Sequence, residues 1–249
     1  MRALVRWIVL LLVAAMALQV FFLARIALSA TIDPQSTSFQ RSEAWRIATQ
    51  KGQLRWRQQW MPYEQISDHL KRAVIASEDG SFTNHDGVDW EAVEKAWQRN
   101  AQAEERAARQ KPRPVPKSQL APTAKAPKIV GGSTITQQLA KNLLLSGERT
   151  LLRKGQEFVL TFALERMLSK ERILEIYLNS VEWGEGVFGA EAAAQHYYRK
   201  SAARLSPYEA ARLAVMLPRP KYFEKLPHSG YLANRASTIV ARMRDATLP

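Results

Sequence analysis

Three groups of residues in this 249-residue chain combine types and spacings that can do chemistry. The first is Glu78 beside Asp79, where an apolar run gives way to a turn-rich loop holding Gly80, His85 and Gly87. A carboxylate at such a junction can act as general acid or base, and a second carboxylate beside it raises its pKa. Its ordinary reading is a solvated surface pair. Asp79, His85 and Asp86 could also ligate a metal, although their spacing matches no strong ligand pattern. The second group starts at Gly131 and Gly132 and continues through Ser133, Thr134, Gln137, Gln138 and Lys141. Backbone N–H groups at the start of a helix suit a phosphate. The spacing is not that of a P-loop, and the ordinary reading is a capped helix. The third group is Arg149, Arg153 and Lys154 ahead of Glu157. Lys154 and Glu157 are three apart and share a helical face, which ordinarily means a solvated ion pair.

The elements that must position these groups are helical. Gln65 to Ala76 carries Ile66, Leu70, Ala73 and Val74 at helical spacing. Trp90 to Arg109 and Ser133 to Leu145 read as helices. Leu151 to Leu178 holds two, the second with Ser169 as N-cap. Ser206-Pro207-Tyr208-Glu209 is a capping box with proline at the first helical position, opening a helix through Met216. Tyr231 to Met243 is the last. No alternating strand and no repeat is evident, so the class is mainly α.

Composition narrows the setting. A formal charge of +13 calls for an anionic partner, namely nucleic acid, a membrane surface or a phosphorylated substrate. There is no cysteine, which excludes thiol catalysis and disulfides. Trp7 to Ala24 is apolar except for Gln19, with Arg2 and Arg6 before it and Arg25 after. That run is long enough to cross a bilayer and exceeds a typical signal h-region. We therefore expect residues 1–30 to be a retained anchor with a cytoplasmic N-terminus and the rest to lie outside, the rival reading being a signal peptide cleaved at Ala27-Leu28-Ser29. An exported domain argues against nucleic acid as partner. Residues 31–60 read as a juxtamembrane stalk and 61–249 as the functional domain. Within it, 100–128 is a basic insert with prolines at 112, 114, 116, 122 and 127.

In their order along the chain, "AVIASEDGSFTNHDGVDW", "GGSTITQQLAKNL", "RKGQE", "KERILEIYLNSVEWGEGVFGAEAAAQHYY" and "LSPYEAARLAVMLPRP" resemble the family 51 glycosyltransferases, in their monofunctional, membrane-anchored biosynthetic form. The resemblance covers about 65–220 apart from the insert. The penicillin-binding half of bifunctional relatives is not expected, since no Ser-x-x-Lys occurs in the chain.

The resemblance implies a lysozyme-like, mainly helical fold with a large and a small lobe, polymerising lipid II into β-1,4 glycan with release of undecaprenyl diphosphate. It implies two catalytic glutamates, Glu78 as the base for the acceptor 4-hydroxyl and Glu157 beside the sugar–pyrophosphate linkage, helping to position or protonate it. Lys141, Arg149, Arg153 and Lys154 would stabilise the departing pyrophosphate, while Asp79, Phe82, Ser133, Thr134, Gln137 and Gln138 shape the cleft. No cofactor is obligatory; a magnesium or manganese ion could bridge the pyrophosphate. The implied partners are lipid II, the growing lipid-linked glycan, the membrane and other wall-synthesis proteins. The insert is either a mobile basic arm for anionic headgroups or a plain loop. Two rivals stand against this reading. One is a glycan hydrolase on a similar fold, which would have no use for the cationic cluster. The other is a non-catalytic membrane scaffold.

Overall fold

The computed structural model describes residues 2–109, 132–145, 147 and 150–249. The 110–131 segment, which holds most of the basic insert, and Arg149 lie outside the described residues. Two compact units are present, residues 1–88 with 134–249, and residues 89–133.

The larger unit begins with α1 (Arg2–Ser29). At 28 residues and about 1.5 Å per residue it is long enough to cross the ~30 Å hydrocarbon layer. Residues 2–18 are exposed. Phe22, Ile26 and Ser29 are its buried residues, spaced so that they fall on one side of the helix.

The segment expected to be a stalk is instead built into the unit. Thr37 and Gln40 form a capping box that starts α2 (Ser38–Lys51), and Gly52 in the left-handed conformation ends it. Ile47 of α2 is fully buried. The Gln40 side-chain amide donates to the Ser180 carbonyl at 3.1 Å. Polar composition concealed this, because α2 buries very little apolar surface. The chain then forms β1 (Arg57–Gln58), which pairs in parallel with β3 (Val187–Phe188); β2 (Glu182–Gly184) flanks β3 on the other side, antiparallel. This small sheet, absent from the sequence reading, has strands of two or three residues, too short to show alternation.

The core is helical. Helix α3 (Asp68–Glu78) packs against α9 (Pro207–Met216) and α11 (Gly230–Arg242), and α5 (Ile135–Leu144) packs against α6 (Leu151–Met167) and α7 (Lys170–Ser180). Helices α8 (Ala190–Tyr198) and α10 (Pro220–Phe223) complete the larger unit. Ser169 caps α7, and the Ser206 capping box opens α9 with Pro207 in its first turn, as the sequence predicts. Tyr177 and Trp183 are among its largest fully buried side chains. Glu182 is buried on the sheet beside Lys221, whose ammonium lies 3.3 Å from its carboxylate. Burial foremost, with the Glu43 charge adding, pushes the Glu182 carboxyl up to about 7, and Lys221 opposes that rise.

The smaller unit holds α4 (Trp90–Arg109), which begins where Asp89 accepts the Ala92 N–H at 2.7 Å. The helix carries through Arg109, so it occupies the first ten residues of the expected 100–128 insert.

Candidate functional site

Helix α3 turns its apolar side inward through Leu70, Ala73, Val74 and Ile75 and ends on Glu78, where Asp79 takes a non-helical conformation. Glu78 is therefore fixed at the rim of the core. Its carboxylate accepts a hydrogen bond from the Gln138 amide on α5 at 3.0 Å. The Gln138 carbonyl oxygen in turn accepts the Tyr177 hydroxyl proton at 3.1 Å, which sets the amide with its NH2 toward Glu78. Burial foremost holds the Glu78 carboxyl above the usual carboxylate range. The Asp79 charge adds to that rise, while hydrogen bonds from Gln138 and Ser77 and the more distant Arg235 oppose it. Among the described residues no lysine or arginine forms an ion pair with Glu78. The group is a half-buried carboxylate steadied by a neutral amide, the environment a general base needs.

Asp79, adjacent in sequence, faces elsewhere. One of its oxygens accepts the Ile135 N–H at 3.0 Å and the other the His85 Nε2–H at 2.9 Å. The His85 Nδ1 accepts the Gly87 N–H at 3.1 Å, which assigns the ring proton to Nε2. Both ring nitrogens are thus engaged and Asp86 is exposed, so these three residues do not form a ligand set. Among the described residues no cluster of three or more His, Cys, Asp or Glu is arranged to hold a metal ion.

Phe82 is fully buried beneath this loop. Lys170 lies over its ring at 4.6 Å and donates to the His85 carbonyl at 2.6 Å and to Glu165 at 2.8 Å. Glu165 also accepts from Thr136 at 2.6 Å. Gly87 closes the loop at φ +87°, and a Cβ there would stand 2.6 Å from Thr161 and 2.9 Å from Glu165. Only glycine allows that approach. Asp79 and Phe82 therefore fix the loop that follows Glu78.

The start of α5 differs from a phosphate cradle. Thr134 and Gln137 bond reciprocally as a capping box, both buried. The Ile135 N–H is taken by Asp79. The helix N-terminus already has its anion in the Asp79 carboxylate. Of the residues predicted here, Gln138 reaches Glu78, and Lys141 lies one turn further along α5 with its side chain exposed. Ser133 is exposed and belongs to the smaller unit.

On α6 the predicted cations and carboxylate do meet. Thr150 caps the helix. Glu157, 4% exposed, is held by Arg153 at 3.2 Å and by Lys154. Two cations on one carboxylate leave one positive charge in surplus. The Arg153 side chain is 17% exposed and that of Lys154 40%, so the ammonium remains partly open to solvent. Arg153 Nε is buried without a hydrogen-bond partner among the described residues. One turn on, the Thr161 hydroxyl donates to the Glu157 carbonyl at 2.8 Å.

Sequence reading missed the supporting residues His85 (as a hydrogen-bonding group), Thr136, Glu165, Lys170 and Tyr177. Part of the signal was there. Glu157, Thr161 and Glu165 recur every four residues, a polar stripe on a helix that otherwise buries Leu160 and Leu164.

Comparison with known proteins follows the same lines. The family described as "Transglycosylase" matches residues 46–109 and 117–244. A biosynthetic peptidoglycan transglycosylase of Burkholderia thailandensis is 50% identical over 236 residues, covering 95% of this chain and 84% of its own length. One from Paraburkholderia phytofirmans is 48% identical over 249 residues, covering 98% and 95%. One from Herminiimonas arsenicoxydans is 46% identical over 250 residues, covering 100% and 99%.

Proposed function

The chain belongs to the transglycosylase family, and on that premise we propose that it is a peptidoglycan glycosyltransferase polymerising lipid II into β-1,4 glycan strands. The observation that carries the mechanism is the setting of Glu78. It is half-buried, raised above the ordinary carboxylate range and fixed by Gln138, and among the described residues no lysine or arginine forms an ion pair with it. A sugar 4-hydroxyl is a weak nucleophile. Glu78 takes its proton as the oxygen bonds to the donor's anomeric carbon, and the bond from that carbon to the diphosphate oxygen breaks. Such base catalysis contributes roughly two to four orders of magnitude. The displacement inverts the α-linked donor to a β-linked product and releases undecaprenyl diphosphate.

The leaving group gathers negative charge, and preorganised cations stabilise it without reorganising during the reaction. Lys154 and Arg153 on α6, with Lys141 and Arg149, serve that role. Glu157 holds the first two in place beside the sugar–diphosphate linkage. The reading has no obligatory cofactor. A magnesium or manganese ion, if bound with the donor, would supply charge neutralisation at the diphosphate. The arginines before the span favour a cytoplasmic N-terminus, which places the domain on the outer face of the inner membrane. Its partners are lipid II, the growing lipid-linked glycan and the membrane, together with other wall-synthesis proteins.

A hydrolase would cut glycan rather than extend it, and the cationic surplus on α6 favours transfer from a diphosphate. The test is to incubate the purified full chain in liposomes with lipid II alone. Lengthening glycan with release of the lipid diphosphate is expected. Absence of both polymer and released lipid diphosphate would overturn the reading.

A further inference from the structure

The apolar run of α1 contains one polar side chain, Gln19. Its amide pairs reciprocally with that of Gln156 on α6: Gln19 Nε2 donates to the Gln156 carbonyl oxygen at 2.8 Å and Gln156 Nε2 to that of Gln19 at 2.9 Å. Gln19 continues the inward stripe of Phe22, Ile26 and Ser29 by a helical step of three residues. At the far end of the stripe, Arg172 of α7 donates from Nε to the Ser29 carbonyl and from Nη2 to Asp33, both at 2.8 Å. The anchor is therefore tied at two points, with Phe22 and Ile26 buried between them.

Gln156 stands between Gly155 and Glu157 in the segment that also holds Arg153 and Lys154. Successive residues on a helix point about 100° apart. Helix α6 thus presents Gln156 to the anchor while Glu157 turns inward to Arg153 and Lys154. An unpaired amide in hydrocarbon is costly. The reciprocal pair is also directional, so a slide of the anchor by one residue, about 1.5 Å, or a rotation of it breaks both bonds.

We propose that Gln19 is a positioning residue for the transfer reaction, clamping the membrane helix to α6 and so fixing the height of the α6 cations relative to the bilayer. This rests on the proposed role of Arg153 and Lys154 toward the donor diphosphate. That diphosphate is tied to a lipid and is confined to the level of the headgroups. Cations held at the same level meet it without a search. An anchor that merely tethered the domain would leave their height to fluctuate.

The test uses the full chain in liposomes of phosphatidylglycerol and phosphatidylethanolamine, with lipid II as donor. Gln19→Leu keeps the span apolar, so insertion is retained. Gln19→Leu and Gln156→Leu should each raise KM for the lipid-linked donor about three- to tenfold, with kcat changed less than about twofold. The double variant should be no worse than either single one. Because the chain has no cysteine, Gln19→Cys with Gln156→Cys can be joined by a short bifunctional thiol reagent. Joining should return KM to within about twofold of the parent, while capping each thiol separately should not. Unchanged KM in both leucine variants, additive losses in the double variant, or no cross-link in the membrane would each overturn the clamp. If the parent chain makes no polymer, the functional reading fails, and the cross-link yield still decides whether the two helices are clamped.

Discussion

Glu78 at the rim of the core and Glu157 buried on α6 are both carboxylates drawn away from solvent, yet their surroundings are opposite. Glu78 ends a helix and meets an amide from another helix. Glu157 lies within a helix and meets two cations from its own. Burial dominates the first and leaves it reluctant to hold charge. Ion pairing dominates the second and makes it the counter-charge that organises Arg153 and Lys154. The contrast separates two kinds of work that a transferase needs, accepting a proton and stabilising a departing anion. It also shows that nearness in sequence misleads. Asp79, next to Glu78, turns away to cap α5 and hold His85.

Replacing each glutamate by glutamine should divide the two regions most sharply. Glu78→Gln keeps the shape and cannot accept a proton, so turnover should fall by roughly two to four orders of magnitude. Its stability should move the other way. A carboxyl whose folded pKa is raised stabilises the fold fully below its unfolded pKa, and that contribution is lost as pH rises through the folded pKa. At pH 7.5 the amide should therefore raise Tm, which differential scanning calorimetry would show. Glu157→Gln should instead lower Tm, because Arg153 and Lys154 lose their counter-charge. The cost is about 1–3 kcal/mol after allowing for the exposure of Lys154. The variant should also lower kcat/KM about 10- to 100-fold, because Arg153 and Lys154 are no longer held in place for the leaving group. A parallel rise or fall of Tm in both variants would erase the distinction.

Lys154→Ala tests the cationic side alone. It removes one charge-assisted contact, so a diphosphate donor analogue should bind about 10- to 100-fold more weakly by calorimetric titration, with the effect shrinking as salt rises. The smallest expected effect lies away from both regions. Glu182, pushed up to about 7 by burial, follows the Glu78 logic with no catalytic duty. Glu182→Gln should stabilise the fold by roughly 1–3 kcal/mol at pH 8 and by little at pH 5, where the carboxyl of the parent is itself protonated. Catalysis at pH 8 should be unchanged. A Tm gain as large at pH 5 as at pH 8 would remove burial of charge as the cause.

The sequence made the helices and the local pairs legible. The caps at Ser169 and Ser206 and the Arg153–Lys154–Glu157 cluster all depend on residues three or four apart. Contacts across the chain were not legible. Gln138 lies sixty residues from Glu78 and Gln156 lies 137 from Gln19, and no periodicity links such pairs. The family resemblance implies Thr134 and Gln137 as cleft residues, while the residues alone read as an ordinary capped helix. The fold commits both to capping α5. Helix α2 was hidden for a related reason, since it docks through Gln40 and Ile47 rather than through a broad apolar face.

The central claim is that Glu78 accepts the proton, and the pH dependence of single-turnover glycan formation by the full chain tests it most directly. The account predicts that the rate falls tenfold per pH unit on the acid side. The midpoint should lie above the usual carboxylate value of 4.5, because burial raises Glu78. Glu78→Gln should stay near background at every pH. A Glu78→Gln variant that keeps substantial turnover and the same acid limb would contradict it.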